Sequence, residues 1–96
     1  MAVIVKKRDG DVLVQLCGEF TIYEVNALHK ALMDCLNDHD GLILDMRNVR
    51  KCDKAGVQLL ASAMKRAGDA RKHFAIENAS VPVREAARRA GLGIVS

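Results

Sequence analysis

A short polar segment, residues 45–56, carries most of the side chains in this chain that are suited to binding a charged ligand or a protein partner. The segment follows an apolar run and precedes an amphipathic stretch, so it should join the end of a strand to the start of a helix. Ligands usually bind at that edge of an α/β sheet, and a helix start offers N–H groups to an anion or a phosphorylated side chain. The candidate partner-binding residues are Asn48, Arg50, Lys51, Asp53, Lys54, Ala55 and Gly56.

Two of these positions suggest more specific chemistry, each with a simpler alternative. Cys52 has Arg50, Lys51 and Lys54 close by, a setting that lowers a thiol pKa, although a small buried hydrophobic side chain is the commoner role of cysteine. Lys54 at the first turn of a helix opposes the helix dipole, which favours either an acidic partner or an ordinary exposed lysine.

Metal, cofactor and standard enzyme motifs are missing from the sequence. The three histidines and three cysteines have no zinc-ligand spacing, and the chain contains no GxGxxG, P-loop or GxSxG motif. The sequence therefore predicts neither a metal site, nor a cofactor, nor an enzyme of these classes.

Length and composition predict one domain spanning residues 1–96. The chain is 50% apolar with three aromatic residues, so its core should be aliphatic, and so few rings argue against nucleic-acid binding by base stacking. No apolar run approaches the roughly 18 residues of a membrane span, and the first seven residues reverse the charge order of a signal peptide. We expect a cytoplasmic protein with reduced cysteines.

The formal net charge of +3 conceals a marked asymmetry. Residues 1–48 carry five Lys or Arg against eight Asp or Glu, whereas residues 49–96 carry ten against four. A basic second half suits an acidic protein, a phosphate or an anionic surface, or else it forms solvated helix faces.

An N-terminal β-hairpin is the first predicted element. The β-rich runs 3–5 and 12–17 flank Asp9 and Gly10, and Asp-Gly is a strong hairpin turn signal. Alternation along the second run places Val12, Val14 and Leu16 on one face.

A helix should follow this hairpin. Gly18 is expected to end the second strand, and Thr21 and Glu24 have capping-box spacing, with Thr21 as the N-cap. The polar residues 37–41 should end the helix. The apolar positions that recur at helical spacing are Ile22, Val25, Leu28, Leu32 and Leu36.

The run 42–44 is uninterrupted and apolar, which predicts a central strand, and 46–52 is then expected to be a polar, basic loop. Asp53 is well placed to cap a second helix that runs to about Ala67, with Gly68 as its breaker. The predicted sheet-facing stripe of this helix comprises Val57, Leu60, Ala61, Met64 and Ala67.

The last third of the chain predicts a strand at 73–77 and a helix at 80–90 with Pro82 in its first turn. Residues 94–95 are a candidate for a final strand. The fold class is therefore α/β, with a mixed sheet of four to five strands, an N-terminal hairpin and three helices packed on the sheet.

Four blocks along the chain are similar to successive blocks of the STAS domain family, the bacterial anti-sigma-factor antagonists and their relatives. The blocks are 18–21, 42–46, 52–57 and 77–80, and their order covers nearly the whole chain. The resemblance implies a single STAS-like domain without enzymatic activity, which binds proteins in bacterial signalling and transcription regulation.

The resemblance also implies that the usual switch is missing. In the family, the block after the central strand typically reads Asp-Ser-Ser-Gly, and a partner kinase phosphorylates the second hydroxyl residue. These positions fall on Asp53, Lys54, Ala55 and Gly56, and Ala55 has no hydroxyl to accept phosphate. Thr21 also stands where many members have Asp.

These expectations leave several partners open. The resemblance suggests a kinase-like anti-sigma factor or a larger signalling complex, bound constitutively or regulated elsewhere than at position 55. Alternatives are an accessory subunit of a membrane transporter and a sensor of nucleotides or other small ligands. An exposed sheet edge would also permit a homodimer.

Overall fold

Strands and helices alternate along the chain after an opening hairpin. The structure is a computed structural model, and it describes residues 2–93. The elements are β1 (Ala2–Arg8), β2 (Asp11–Phe20), α1 (Val25–Asp38), β3 (Gly41–Cys52), α2 (Lys54–Asp69), β4 (His73–Glu77) and α3 (Val81–Arg89).

The four strands form one mixed sheet in the order β1-β2-β3-β4. β1 and β2 pair antiparallel, whereas β3 lies parallel to both β2 and β4. The predicted fold class, with its hairpin, mixed sheet and three helices, is therefore confirmed, and β3 is a central strand as expected. The fifth strand that was predicted at 94–95 lies outside the described residues.

The aliphatic core lies between one face of the sheet and the helices. Val12, Val14 and Leu16 share that face as predicted, and each is at most 1% exposed. α1 packs onto it through Leu28, Leu32 and Leu36, which are also buried. The same cluster includes Leu42, Leu44 and Met46 of β3, Leu59, Leu60 and Ala63 of α2, and Val83 of α3.

The segment 46–52 is the second half of β3, so the loop predicted there was wrong. β2 also runs on through Gly18, at φ +117°, to Phe20, and thereby provides β3 with a partner along its whole length. The β2–β3 register shifts twice, and each shift adds one residue to β3, as a β-bulge does. The buried residues Met46 and Val49 are consequently three positions apart, which hides the alternation typical of a strand.

The predicted start of α1 also needs correction. Glu24 N and Val25 N both donate to the carbonyl oxygen of Thr21, at 2.8 and 3.1 Å, so residues 21–24 form a turn and the helix begins at Val25. The buried Thr21 hydroxyl has no hydrogen-bond partner within residues 2–93, so the expected capping box is not formed. Ile22, predicted to lie on the buried stripe of α1, precedes the helix and is 62% exposed.

α2 begins at Lys54 as expected but presents a slightly different face to the core. Ala61 is exposed and Ala63 is fully buried, whereas the sequence placed Ala61 on the buried stripe. The helix also continues through Gly68 to Asp69. β4 has the predicted bounds, and α3 begins and ends within one residue of the prediction.

The orientation of α2 can be tested by making the same substitution at two neighbouring alanines. We expect Ala63→Leu to lower the free energy of unfolding by about 1–3 kcal/mol, because it adds volume to a close-packed site. Ala61→Leu should change it by less than about 0.5 kcal/mol, since the side chain is exposed. Urea unfolding of both variants measures the difference, and equal effects would contradict the orientation.

Candidate functional site

The carboxylate of Asp53 joins the start of α2 to the turn that precedes α1. Its Oδ1 accepts from Gly56 N at 3.0 Å, which makes Asp53 the N-cap of α2 as predicted. Its Oδ2 accepts from Ile22 N at 3.0 Å, across 31 residues of sequence. One side chain therefore fixes the position of two segments that meet at this end of the sheet.

Asp53 also determines the electrostatics of the helix start. Burial disfavours its carboxylate, but hydrogen bonds from the N–H groups of Ile22, Gly56 and Ala55 outweigh that effect and lower the pKa of Asp53 below its ordinary value. The N–H groups at the start of α2, which were predicted to be available to an external anion, are thus already bonded to the carboxylate of Asp53.

Gly56 lies where the first turn of α2 comes into contact with the end of β2. A Cβ atom at this position would collide with the carbonyl oxygen of Phe20 and lie 2.7 Å from Phe20 Cδ2 and 3.2 Å from Cys52 Sγ. The glycine of the predicted motif is therefore required by close packing, and this contact seats α2 against the sheet.

Ala55 opens onto a groove of about 370 Å³ between α1 and α2. Ile22, which lines the groove, is 62% exposed, and the adjacent Tyr23 is 91% exposed. Ser62, two turns further along α2, is exposed and lines the same groove. The full lining comprises Ile22, Val25, Asn26, His29, Ala55, Gln58, Leu59 and Ser62.

A second cleft lies on the other side of the start of α2. Lys54 is exposed and lines this cleft of about 340 Å³ together with Arg89 of α3. The remaining lining residues are Cys52, Asp53, Ala86 and Ala90. Ala55 and Lys54, although adjacent in sequence, therefore face different openings.

The remaining predicted residues lie along the bulged end of β3. Asn48 and Arg50 are exposed and line a shallow opening together with Gly18 of β2. Lys51 is exposed and pairs in register with Glu19. The seven predicted residues thus lie along the end of β3 and the start of α2 and open in three directions, and among them the Asp53 side chain accepts a hydrogen bond from Gly56 N.

Asp45, at the start of the predicted segment, has a structural role. It is 5% exposed, and its Oδ1 accepts from Arg47 N at 3.2 Å and from Arg47 Nε at 3.3 Å. Burial opposes ionisation, yet these bonds and one from Gln15 hold the pKa of Asp45 below its usual range. The carboxylate therefore stabilises the bend at which the first bulge begins.

The Cys52 thiol does not have the properties of a nucleophile. Burial, together with the negative charge of Asp53, raises the pKa of Cys52 to about 11. The thiol therefore stays protonated at neutral pH, which supports the structural alternative over thiol chemistry.

Neither a metal site nor a membrane span emerges from the described part of the chain. Within residues 2–93, no three His, Cys, Asp or Glu side chains are grouped so that they could hold a metal ion. Over the same residues, no helix has the length and apolar character needed to cross a bilayer.

Sequence reasoning missed the exposed pair Ile22 and Tyr23 and the groove beside them. The apolar spacing from Ile22 to Leu36 assigned Ile22 to a buried helix stripe. No local signal separates Ile22 from the helical stripe, because its exposure follows from the turn at residues 21–24 and from the hydrogen bond that Ile22 N donates to the distant Asp53 side chain.

Comparison with known families agrees with this geometry. A family model described as Mlab, STAS domain matches residues 3–95, so the chain belongs to the STAS domain family. No curated protein matches the sequence at a comparable level.

Solved structures share the fold. The unphosphorylated form of the anti-sigma factor antagonist SpoIIAA, which is a Bacillus cell fate determinant, superposes with a TM-score of 0.81 at 20% identity, over 96% of this chain and 83% of that one. An anti-sigma factor antagonist from Mycobacterium paratuberculosis gives 0.83 at 24% identity, over 94% and 77%. SLC26A9 gives 0.75 at 16% identity, over 85% of this chain and 16% of that one.

The contribution of Asp53 to stability should depend on pH. Because its pKa is lower in the folded state, the stabilisation is complete above the unfolded pKa of about 3.9 and is lost as pH falls through the folded value. We expect Asp53→Ala to lower the free energy of unfolding by about 1–2 kcal/mol at pH 7, with the difference from wild type shrinking below pH 4. Urea unfolding between pH 3 and 7 measures it. The exposed Asp38→Ala is the control, and a pH-independent difference for Asp53→Ala would contradict the proposed ionised cap.

Two glycines of α2 provide a matched test of the packing at Gly56. Gly56→Ala should destabilise the protein by about 1–3 kcal/mol, because the new methyl group meets the backbone of Phe20. Gly68→Ala meets no atom within 4 Å and should stabilise the protein by about 0.5–1 kcal/mol, since alanine is the better helix former. Thermal unfolding should therefore shift in opposite directions, and shifts of the same sign would refute the close approach.

Proposed function

We propose that this chain is a non-enzymatic interaction domain of bacterial signalling, which binds a protein partner through the surface around the start of α2. The observation that carries the proposal is the adjacent pair Ile22 and Tyr23, which are 62% and 91% exposed, with Ile22 lining the α1–α2 groove. Large apolar side chains held in place on a surface are typical anchors of a protein interface, and tyrosine is among the commonest.

The surface is suited to binding because its frame is fixed before a partner arrives. Asp53 bonds the backbone of Ile22, and Gly56 packs against Phe20, so the backbone that carries the exposed pair does not have to be ordered on association. Groups that are already ordered lose less conformational entropy on binding. Lys54, on the neighbouring cleft, and Asn48, Arg50 and Lys51, at the end of β3, add exposed polar and cationic groups to the proposed surface.

The interaction is not switched by phosphorylation at position 55. The resemblance of residues 53–56 to the family's Asp-Ser-Ser-Gly block supports Ala55 as the phosphoacceptor position, and an alanine methyl group accepts no phosphate. A phosphate would bring a charge of about −1.5 to −2 into the α1–α2 groove. With alanine there, we infer a partner that is bound constitutively or is controlled at another site.

The partner class we favour is an anti-sigma factor or a related signalling complex in the bacterial cytoplasm. The similarity to SpoIIAA and to the mycobacterial antagonist supports this choice. A second candidate is an accessory subunit of a transporter, because the same fold forms 16% of the much larger SLC26A9 chain. A nucleotide sensor is less favoured, since the Asp53 carboxylate occupies the helix start that a phosphate would need.

Measuring the affinity for purified candidate partners tests the proposal. The candidates are the kinase-like anti-sigma factors and the membrane transporters of the same genome. We expect one of them to bind, and we expect Tyr23→Ala and Lys54→Glu each to raise its dissociation constant at least about tenfold. Lys65→Glu, an exposed charge reversal further along α2, is the matched control and should change it less than about twofold.

The same titration examines position 55. Adding ATP to the complex should leave wild-type binding unchanged, whereas Ala55→Glu should weaken it by placing a carboxylate in the groove.

Unchanged affinity for Tyr23→Ala and Lys54→Glu would exclude this surface as the interface.

A further inference from the structure

β1 is an edge strand that exposes apolar side chains on both of its faces. None of its seven residues is buried, and Val3, Ile4 and Val5 are 40%, 52% and 56% exposed. Their partners across the hairpin are far less exposed: Leu16 pairs with Val3, Val14 pairs with Val5, and each of the two partners is 1% exposed. The helices therefore cover the core face as far as β2 and stop short of β1.

We propose that β1 pairs antiparallel with β1 of a second copy of this chain, so that the two four-stranded sheets join into one. Among residues 2–93, β1 has one neighbour in the sheet, β2, so within that part of the chain its outer edge presents N–H and C=O groups without strand partners. A second copy satisfies that edge by the same interaction that already holds β1 to β2. The two-fold axis of the dimer passes between Ile4 of one copy and Ile4 of the other.

This register continues the apolar rows of the protein across the interface. With Ile4 opposite its own copy, Val3 lies opposite Val5 of the second copy, and directly opposed residues of an antiparallel pair share a face. The row that begins at Leu16 and Val3 then continues into Val5 and Val14 of the second copy, on the same side of the joined sheet as the core. Ile4 meets Ile4 of the second copy on the opposite face.

The positive charges of β1 disfavour a parallel arrangement of the two copies of this strand. Lys6, Lys7 and Arg8 complete β1, and a parallel in-register pairing would set each of these cations about 5 Å from its own copy. In the antiparallel register Lys6 lies opposite Ala2, so the two copies of Lys6 are separated by four residues, or about 13 Å, which exceeds the Debye length of about 8 Å at physiological salt. The cationic end of the strand therefore disfavours parallel pairing and permits the two-fold pairing.

The other sheet edge is less suited to this role. β4 is only five residues long, and Ile76, its most buried residue, already belongs to the core of its own chain. A β1–β4 contact between copies would be head-to-tail and would not close into a dimer. Of the two sheet edges, β1 is therefore the one whose apolar side chains suit a two-fold contact between copies.

Sedimentation velocity of the full chain tests the proposal. At 150 mM NaCl we expect a monomer at about 5 µM and a shift towards a dimer by about 500 µM, the range in which small interfaces associate. A monomer at every concentration would overturn the proposal and leave the β1 edge to a strand of another protein. Species that grow beyond a dimer would overturn it in favour of head-to-tail pairing.

Paired substitutions at the two-fold position test the register. Ile4→Lys should weaken the dimer at least tenfold, because it places like charges directly opposite each other. Mixing Ile4→Lys with Ile4→Glu should restore association at least tenfold relative to Ile4→Lys alone. Ile22→Lys, a similarly exposed isoleucine away from β1, is the matched control and should dimerise like wild type. Failure of the mixture to associate would refute the register, and circular dichroism confirms that each variant is folded.

The dimer and the proposed partner surface can fail independently. Ile4→Lys should leave partner binding unchanged, whereas Ile22→Lys should weaken partner binding and leave the dimer intact. The two results together assign each surface its own role.

Discussion

The hydrogen bonds of the Asp53 carboxylate are the constraint on which the candidate site depends. One oxygen caps α2 and the other holds the backbone of Ile22, so the start of one helix and the approach to another are fixed by a single group. Each bond is worth about 1 kcal/mol or a little more, because the acceptor is charged. Their larger effect is geometric, since they hold the turn that carries Ile22 and Tyr23 against the start of α2. The same bonds lower the pKa of Asp53, so the frame remains ionised throughout the neutral range.

Most of the fold could be predicted from the sequence because its elements follow simple periodic patterns. The alternation of Val12, Val14 and Leu16 and the helical spacing of Leu28, Leu32 and Leu36 both correspond to buried faces. Local residue preferences also predicted the turn of the hairpin at Asp9 and Gly10 and the N-cap of α2 at Asp53. These signals depend only on neighbours in sequence, which is why they can be identified without a structure.

The second half of β3 and the start of α1 could not be predicted in the same way. Two bulges shift the alternation of β3, so a strand whose partner lies 30 residues earlier has the sequence of a polar loop. At Thr21 the capping-box spacing is present, but the Thr21 carbonyl oxygen accepts the bonds and Asp53 binds the next backbone N–H. A distant side chain therefore overrides the local pattern. The seven candidate residues lie at the end of β3 and the start of α2, and their separation into three openings depends on tertiary packing.

The contact between Gly56 and the backbone of Phe20 belongs to a framework that is distinct from the side chains available to contact a partner. The framework is made by a glycine, a carbonyl oxygen and one capping carboxylate, none of which has to contact a partner. The neighbouring positions 54 and 55 project from it and are free to carry a lysine, a hydroxyl group or a methyl group without moving the helix. A domain built in this way can acquire or lose a recognition group by one substitution while its architecture is preserved. This division is consistent with a TM-score of 0.81 to a protein that shares only 20% of its residues.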